Sequence, residues 1–133
     1  MTAVVDSSVL VSALVDAGPE GAWAGSVVSG GQLTCPELAL AEASNILRRL
    51  ELMGDLSRLE AAGAHENLMR LDLGLFPFAP FAGRVWELRM NLTCYDAWYV
   101  ALAEALERPL ATLDERLQRS TGLRCEIIIP PGQ

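Results

Sequence analysis

Four acidic residues stand where a carboxylate could do chemistry: Asp6, Glu42, Asp96 and Asp114. Asp6 closes the apolar run Thr2-Ala3-Val4-Val5, and Asp114 closes Leu110-Ala111-Thr112-Leu113. Both runs read as short buried strands, and in parallel α/β sheets functional groups gather beyond the carboxyl ends of strands. Each acid taken singly is equally well explained as the N-cap of a following helix. Glu42 lies inside a helical run, in one row with Leu38 and Ile46. A carboxylate in an apolar row needs a partner or a cation, and positions 45 and 46 are Asn and Ile rather than arginine. Asp96 opens another helical run, where Thr93 and Asp96 could form a capping box and nothing more. As a set the four mean more. Carboxylates converging on one point repel and raise each other's pKa, so such a cluster calls for a cation. Ligands that are all oxygen favour Mg²⁺ or Mn²⁺ over zinc.

The rest of the composition removes competing chemistries. All ten basic residues of the 133 are arginines. Without lysine there is no P-loop, whose lysine holds nucleotide phosphates, and no Schiff-base or pyridoxal chemistry. A receiver-type phosphoacceptor domain is disfavoured for the same reason. The single histidine, His65, sits in a polar helical stretch and reads as a surface residue. Cys35, Cys94 and Cys125 are odd in number and contain no CxxC pair, which argues for semi-buried reduced thiols rather than a disulfide framework or zinc knuckle. Arg48, Arg49, Arg84 and Arg89 could meet phosphates or simply be solvated. Tyr95, Trp98 and Tyr99 could stack on bases, although aromatics at this helical spacing more often belong to a core. The formal charge of −7 makes nucleic-acid affinity depend on a local arginine patch or on bound divalent cations, and leaves the surface open to a basic protein partner.

Elements able to position the four acids follow from the pattern. Strands are expected at residues 2–6, 32–35, 73–78, 109–113 and 126–129, and helices at 7–14, 19–28, 80–90, 93–107 and 114–120. Pro36 fits the first turn of a long helix running to about residue 53. Gly54 closes that helix, and Asp55 caps another that runs to about residue 71. Strands alternating with helices predict an α/β sandwich with a mostly parallel sheet. An apolar content of 51% supports a real core. No repeat or boundary breaks residues 1–133, so one domain is expected. No apolar run reaches the roughly 18–20 residues of a spanning helix. The N-terminus has no basic region before Asp6, so no signal peptide and no membrane association are expected, and the chain reads as cytoplasmic.

Together these residues resemble a known family. Val4-Val5-Asp6-Ser7-Ser8, Glu42 with Asn45 and Arg48, Tyr95-Asp96-Ala97-Trp98-Tyr99-Val100-Ala101-Leu102-Ala103, and Leu110-Ala111-Thr112-Leu113-Asp114-Glu115-Arg116-Leu117 look like PIN domains, above all the VapC-type toxins of bacterial and archaeal toxin–antitoxin pairs. The resemblance covers essentially the whole chain. It implies a three-layer sandwich with a mostly parallel central sheet flanked by helices, and a Mg²⁺- or Mn²⁺-dependent endoribonuclease acting as the toxin of a type II pair. It implies Asp6, Glu42, Asp96 and Asp114 as the catalytic quartet, with Asp6, Asp96 and Asp114 on the metal, Glu42 orienting or deprotonating the attacking water, and Thr112 and Ser7 in support. An RNA substrate, a cognate antitoxin and a homodimer follow as partners. One departure stands out: many relatives carry a further acid two positions after the last aspartate, where this chain has Arg116. A housekeeping PIN nuclease of RNA maturation and a PIN-like binding module without catalysis are the alternatives.

Overall fold

Residues 3–5, Ala-Val-Val, are buried throughout, as befits a strand covered on both faces by helices. In the computed structural model, which describes residues 2–132, this strand is the centre of the sheet. The strands are β1 (Ala3–Val5), β2 (Leu33–Pro36), β3 (Leu73–Phe76), β4 (Leu110–Ala111) and β5 (Ile127–Ile128). Their order is β3-β2-β1-β4-β5 and every neighbouring pair is parallel. Val4 pairs with Thr34 on one side and with Leu110 on the other.

The helices are α1 (Ser7–Val15), α2 (Pro19–Ser29), α3 (Ala39–Leu52), α4 (Arg58–Arg70), α5 (Ala82–Glu87), α6 (Cys94–Leu106) and α7 (Glu115–Arg119). The chain steps from β1 through β2 to β3 in one direction, then returns past β1 to β4 and β5. Right-handed crossovers in opposite directions put their helices on opposite faces. Accordingly α1 packs on α2, α3 and α4, while α6 packs on α5 and lies over β1, β2 and β4. The result is the expected three-layer sandwich, with its sheet entirely parallel. Val4, Val5, Leu10, Val100, Leu102 and Leu110 are sealed in its core.

Three expected boundaries are corrected. Pro36 ends β2 instead of opening a helix: it stands opposite Phe76, and the next residue, Glu37, supplies the N–H that Phe76 O accepts, at 2.9 Å. A proline at a strand's last position therefore loses no ladder bond, and α3 begins only at Ala39. Asp55 does not cap α4. Ser57 does, in a reciprocal capping box: its hydroxyl accepts the Glu60 N–H at 3.0 Å and its own N–H reaches Glu60 Oε1 at 2.8 Å. Asp55 instead completes the turn after Gly54, which sits at φ 85°, and donates its N–H to Leu50 O at 2.9 Å. The helix expected over residues 80–90 is shorter. A 3₁₀ turn, Ala79–Phe81, precedes α5. The bonds from Phe81 N to Phe78 O and from Asn91 N to Leu88 O tighten the chain at either end.

Candidate active site

Asp6 leaves β1 and holds its place beside β4 by donating its N–H to Ala111 O, at 3.0 Å. It occupies the N-cap position of α1, yet its carboxylate makes no capping bond. The oxygens accept three hydroxyls instead: Thr112 at 2.8 Å, Ser8 at 3.0 Å and Ser7 at 3.3 Å. Thr112 is fully buried, and its oxygen also accepts the Asp114 N–H at 3.0 Å. One hydroxyl thus fixes Asp6 relative to the turn that carries Asp114. Ser8 is a residue that sequence reasoning missed; it too bridges the strand ends, accepting the Leu113 N–H at 3.4 Å. Its only sequence signal was its place two residues after the acid. The sheet order explains the meeting. β1 and β4 are neighbours at which the chain's direction of travel reverses, the switch point where parallel α/β sheets open a crevice.

Glu42 and Asp96 reach the same region from opposite layers. Glu42, on the first turn of α3, is half-buried and accepts the Tyr99 hydroxyl at 2.6 Å. Its partner is therefore a phenol from α6, since the positions three and four residues along its own helix are Asn45 and Ile46. Burial pushes the Glu42 pKa up, the Tyr99 bond pulls it down, and the charges of Asp6 and Asp96 push it up again; the balance lies above the usual glutamate value. Asp96 stands in the first turn of α6, where the Thr93 hydroxyl caps the helix through the Asp96 N–H at 3.2 Å. Burial, then the charges of Asp6 and Asp114, raise the Asp96 pKa above the usual aspartate value, against the opposing pull of Thr93 and Arg116. Glu42 and Asp96 thus both lie within electrostatic reach of Asp6, and Asp96 within reach of Asp114 as well.

Asp96 and Asp114 line a crevice of about 470 Å³ together with Arg89, Asn91, Thr93 and Arg116. Asp6 and Glu42 are not on its wall. Asp114 caps α7 by accepting the Arg116 N–H at 2.9 Å, so the capping reading holds for this acid. Its two oxygens also accept Arg116 Nε at 3.0 Å and a terminal guanidinium nitrogen at 2.7 Å. The Arg116 bonds hold the Asp114 pKa below the usual aspartate value, outweighing burial. A larger cavity of about 790 Å³, lined by Arg84, Glu104, Arg108 and Cys125 among others, contains none of the four acids. On its wall Arg84 and Glu104 are paired with each other.

Among the described residues no three His, Cys, Asp or Glu side chains form a ready-made grip on an ion. The donor chemistry still suits Mg²⁺ or Mn²⁺, since magnesium commonly takes one or two carboxylates and keeps several waters. His65 is exposed and bonded to Ser44 at 3.1 Å, away from the acids' crevice, as expected of a surface histidine. The cysteines are free thiols; Cys35 is buried, Cys125 intermediate, and Cys94 exposed rather than semi-buried. Trp98 and Tyr99 belong to the core, whereas Tyr95 is 63% exposed. Arg84 is committed to Glu104 and Glu87, which removes it from the residues free to meet phosphate.

Residues 3–123 match the PIN domain. The chain belongs to the PIN-domain family. It is 38% identical over 125 residues to ribonuclease VapC1 of Mycobacterium tuberculosis, a match spanning 93% of this chain and 94% of that protein. Its fold is shared with PAE2754 of Pyrobaculum aerophilum, at a TM-score of 0.71 and 21% identity over 96% of this chain and 83% of that one. A chain of a toxin–antitoxin complex from Klebsiella pneumoniae shares it too, at a TM-score of 0.66 and 16% identity over 98% and 99%.

Proposed function

We propose that this PIN domain, spanning residues 1–133, is an endoribonuclease, the toxin of a type II toxin–antitoxin pair, and that it cuts RNA phosphodiesters with Mg²⁺ or Mn²⁺. The observation that carries the reading is the near full-length match to a VapC ribonuclease at 38% identity, and the Thr112 hydroxyl that links Asp6 to the turn carrying Asp114 supports it.

Asp6, Asp96 and Asp114 are the residues that would hold the ion. Bound there, a divalent cation supplies an acidified water and neutralises charge on the phosphate. The chain's own groups do the rest. Asp6 is kept in one orientation by Thr112 and Ser8, with Ser7 in support. Glu42, with its raised pKa and its Tyr99 anchor, orients the attacking water and takes its proton. The 3′-hydroxyl of the upstream nucleotide leaves, so products carry 5′-phosphates.

The partners are an RNA substrate, a cognate antitoxin and a second copy of the chain. The fold shared with a toxin–antitoxin complex supports the antitoxin, and the net charge of −7 favours a basic one. Leu52, Met53 and Leu59, exposed at the turn between α3 and α4, offer apolar surface for a protein contact. No helix among the described residues is long and apolar enough to cross a membrane. The cytoplasm, where RNA and antitoxin are made, is the place of action.

The test is cleavage of total cellular RNA by antitoxin-free protein with Mg²⁺ or Mn²⁺, compared with EDTA and with Asp96→Asn. Discrete cuts bearing 5′-phosphates, lost on chelation and in the variant, are expected. Equal cutting in EDTA would refute the metal mechanism. No cutting by folded, metal-supplied protein would favour a binding module.

A further inference from the structure

Arg116 is the cation nearest the proposed chemistry, and it is held differently from the other paired arginine. Arg84 is tied to Glu104, Glu87 and Gly122 O, with its side chain only 20% exposed. The Arg116 side chain is 78% exposed. Among the described residues it bonds only to Asp114, through Nε at 3.0 Å and a terminal nitrogen at 2.7 Å. Both partners lie in one short stretch at the start of α7, so the pair joins no separate elements and contributes little to the fold. The backbone bond from Arg116 N to Asp114 and the buried Leu117 side chain hold that stretch whether or not the guanidinium is docked.

The two-pronged bond occupies both oxygens of Asp114. Together with the Arg116 backbone N–H these bonds fill about three of the roughly four lone-pair sites of the carboxylate, so a divalent ion and the Arg116 side chain compete for Asp114. The cost of displacement is small, because so exposed an ion pair is screened by water and changes affinity by at most about fivefold. Once displaced, the guanidinium remains tethered at the crevice mouth, where Arg116 and Arg89 line the wall beside Asp96 and Asp114. Arg89 is steadied over the Trp86 ring at 4.3 Å. A guanidinium fork fits phosphate as well as it fits carboxylate, and each RNA linkage presents such an acceptor.

We propose that Arg116 is an exchangeable cation of the crevice: it covers Asp114 in the free chain and moves to an RNA phosphate when Asp114 is given up to a divalent ion. Arg116 is thus a positioning residue for substrate and a mild brake on metal uptake. This rests on the nuclease reading of the same site.

The test uses Arg116→Gln in the full chain, with folding checked by circular dichroism. Mn²⁺ affinity is measured by calorimetry without RNA. Binding of a fluorescein-labelled single-stranded oligoribonucleotide is measured by anisotropy over a range of salt, with Ca²⁺ replacing the activating ion. The exchange predicts opposite signs: Mn²⁺ binds up to about fivefold tighter in the variant, while RNA binds more weakly with its salt slope reduced by about one contact. A residue with only a structural role would weaken both. If wild type binds Mn²⁺ and RNA but the variant binds Mn²⁺ no more tightly, or RNA no more weakly, the exchange is wrong and the nuclease reading stands. If wild type binds neither Mn²⁺ nor RNA, the nuclease reading falls and the exchange falls with it.

Discussion

A buried hydroxyl on Thr112 joins two of the four acids, accepting the Asp114 N–H and donating to Asp6. A phenol on Tyr99 anchors a third, Glu42. The second contact has a consequence that pH can report. Tyr99 donates to Glu42 and thereby pulls down a pKa that burial and the neighbouring charges of Asp6 and Asp96 push up. Removing the donor in Tyr99→Phe raises the Glu42 pKa further, so the base is protonated up to a higher pH. The acid limb of kcat/KM should move to higher pH relative to wild type; a limb that stays put or moves down would remove Glu42 from the role of base. As candidates, Asp6 and Asp114 were legible because each closes an apolar run, Asp96 because it opens a helix, and Glu42 because it interrupts an apolar helical row; Thr112 came only with the family resemblance. Tyr99 as the partner of Glu42 was not, since the two are 57 residues apart and meet only when the outer layers close over the sheet. Nor was Ser8 preferred over Ser7, a choice made by side-chain rotamers. The arginine at position 116 was noticed as a departure, but its grip on Asp114 is a matter of geometry.

Between elements, Glu104 is the tie that steadies the layer carrying Asp96. From α6 its carboxylate accepts Arg84 of α5 at 2.7 and 3.1 Å and the Arg124 N–H at 2.7 Å. Burial pushes the Glu104 pKa up, but these donors outweigh it and hold the group below the usual glutamate value. A lowered folded pKa stabilises the fold fully above the unfolded value of about 4.3, and that contribution is lost as pH falls through the folded value. Glu104→Gln should therefore destabilise the chain by about 1–3 kcal/mol at neutral pH, with the penalty shrinking as pH drops below about 4. Urea melts at both pH values check this, and a penalty that does not change with pH would contradict it. Helix periodicity made most elements readable; the misplaced boundaries lie where one residue type serves two ends. Pro36 suits a helix start and a strand end equally. Asp55 and Ser57 are both good caps, and only Ser57 has a glutamate three residues on.

At the scale of the molecule, alternating strands and helices predicted a parallel sandwich, and the sheet is parallel throughout. The order β3-β2-β1-β4-β5 was beyond the pattern, because neighbours in a sheet are chosen by crossover direction and not by local spacing. That order sets the ends of β1 and β4 side by side, which brings Asp6 and the turn carrying Asp114 onto one Thr112 hydroxyl. On the proposed function, a chain of net charge −7 with arginine as its only strong cation would depend on local features, a divalent ion and a few guanidinium groups, to hold RNA. On the proposed function, the carboxylate at the end of β1 is essential to RNA cleavage and not to the fold. The most direct measurement is RNA cleavage by Asp6→Asn against wild type with Mn²⁺, alongside thermal unfolding of both. The expected result is a loss of at least about a hundredfold in rate, beyond the effect usual for groups that merely support a metal ligand, with unfolding little changed. Cleavage at the wild-type rate by a folded Asp6→Asn protein would contradict it.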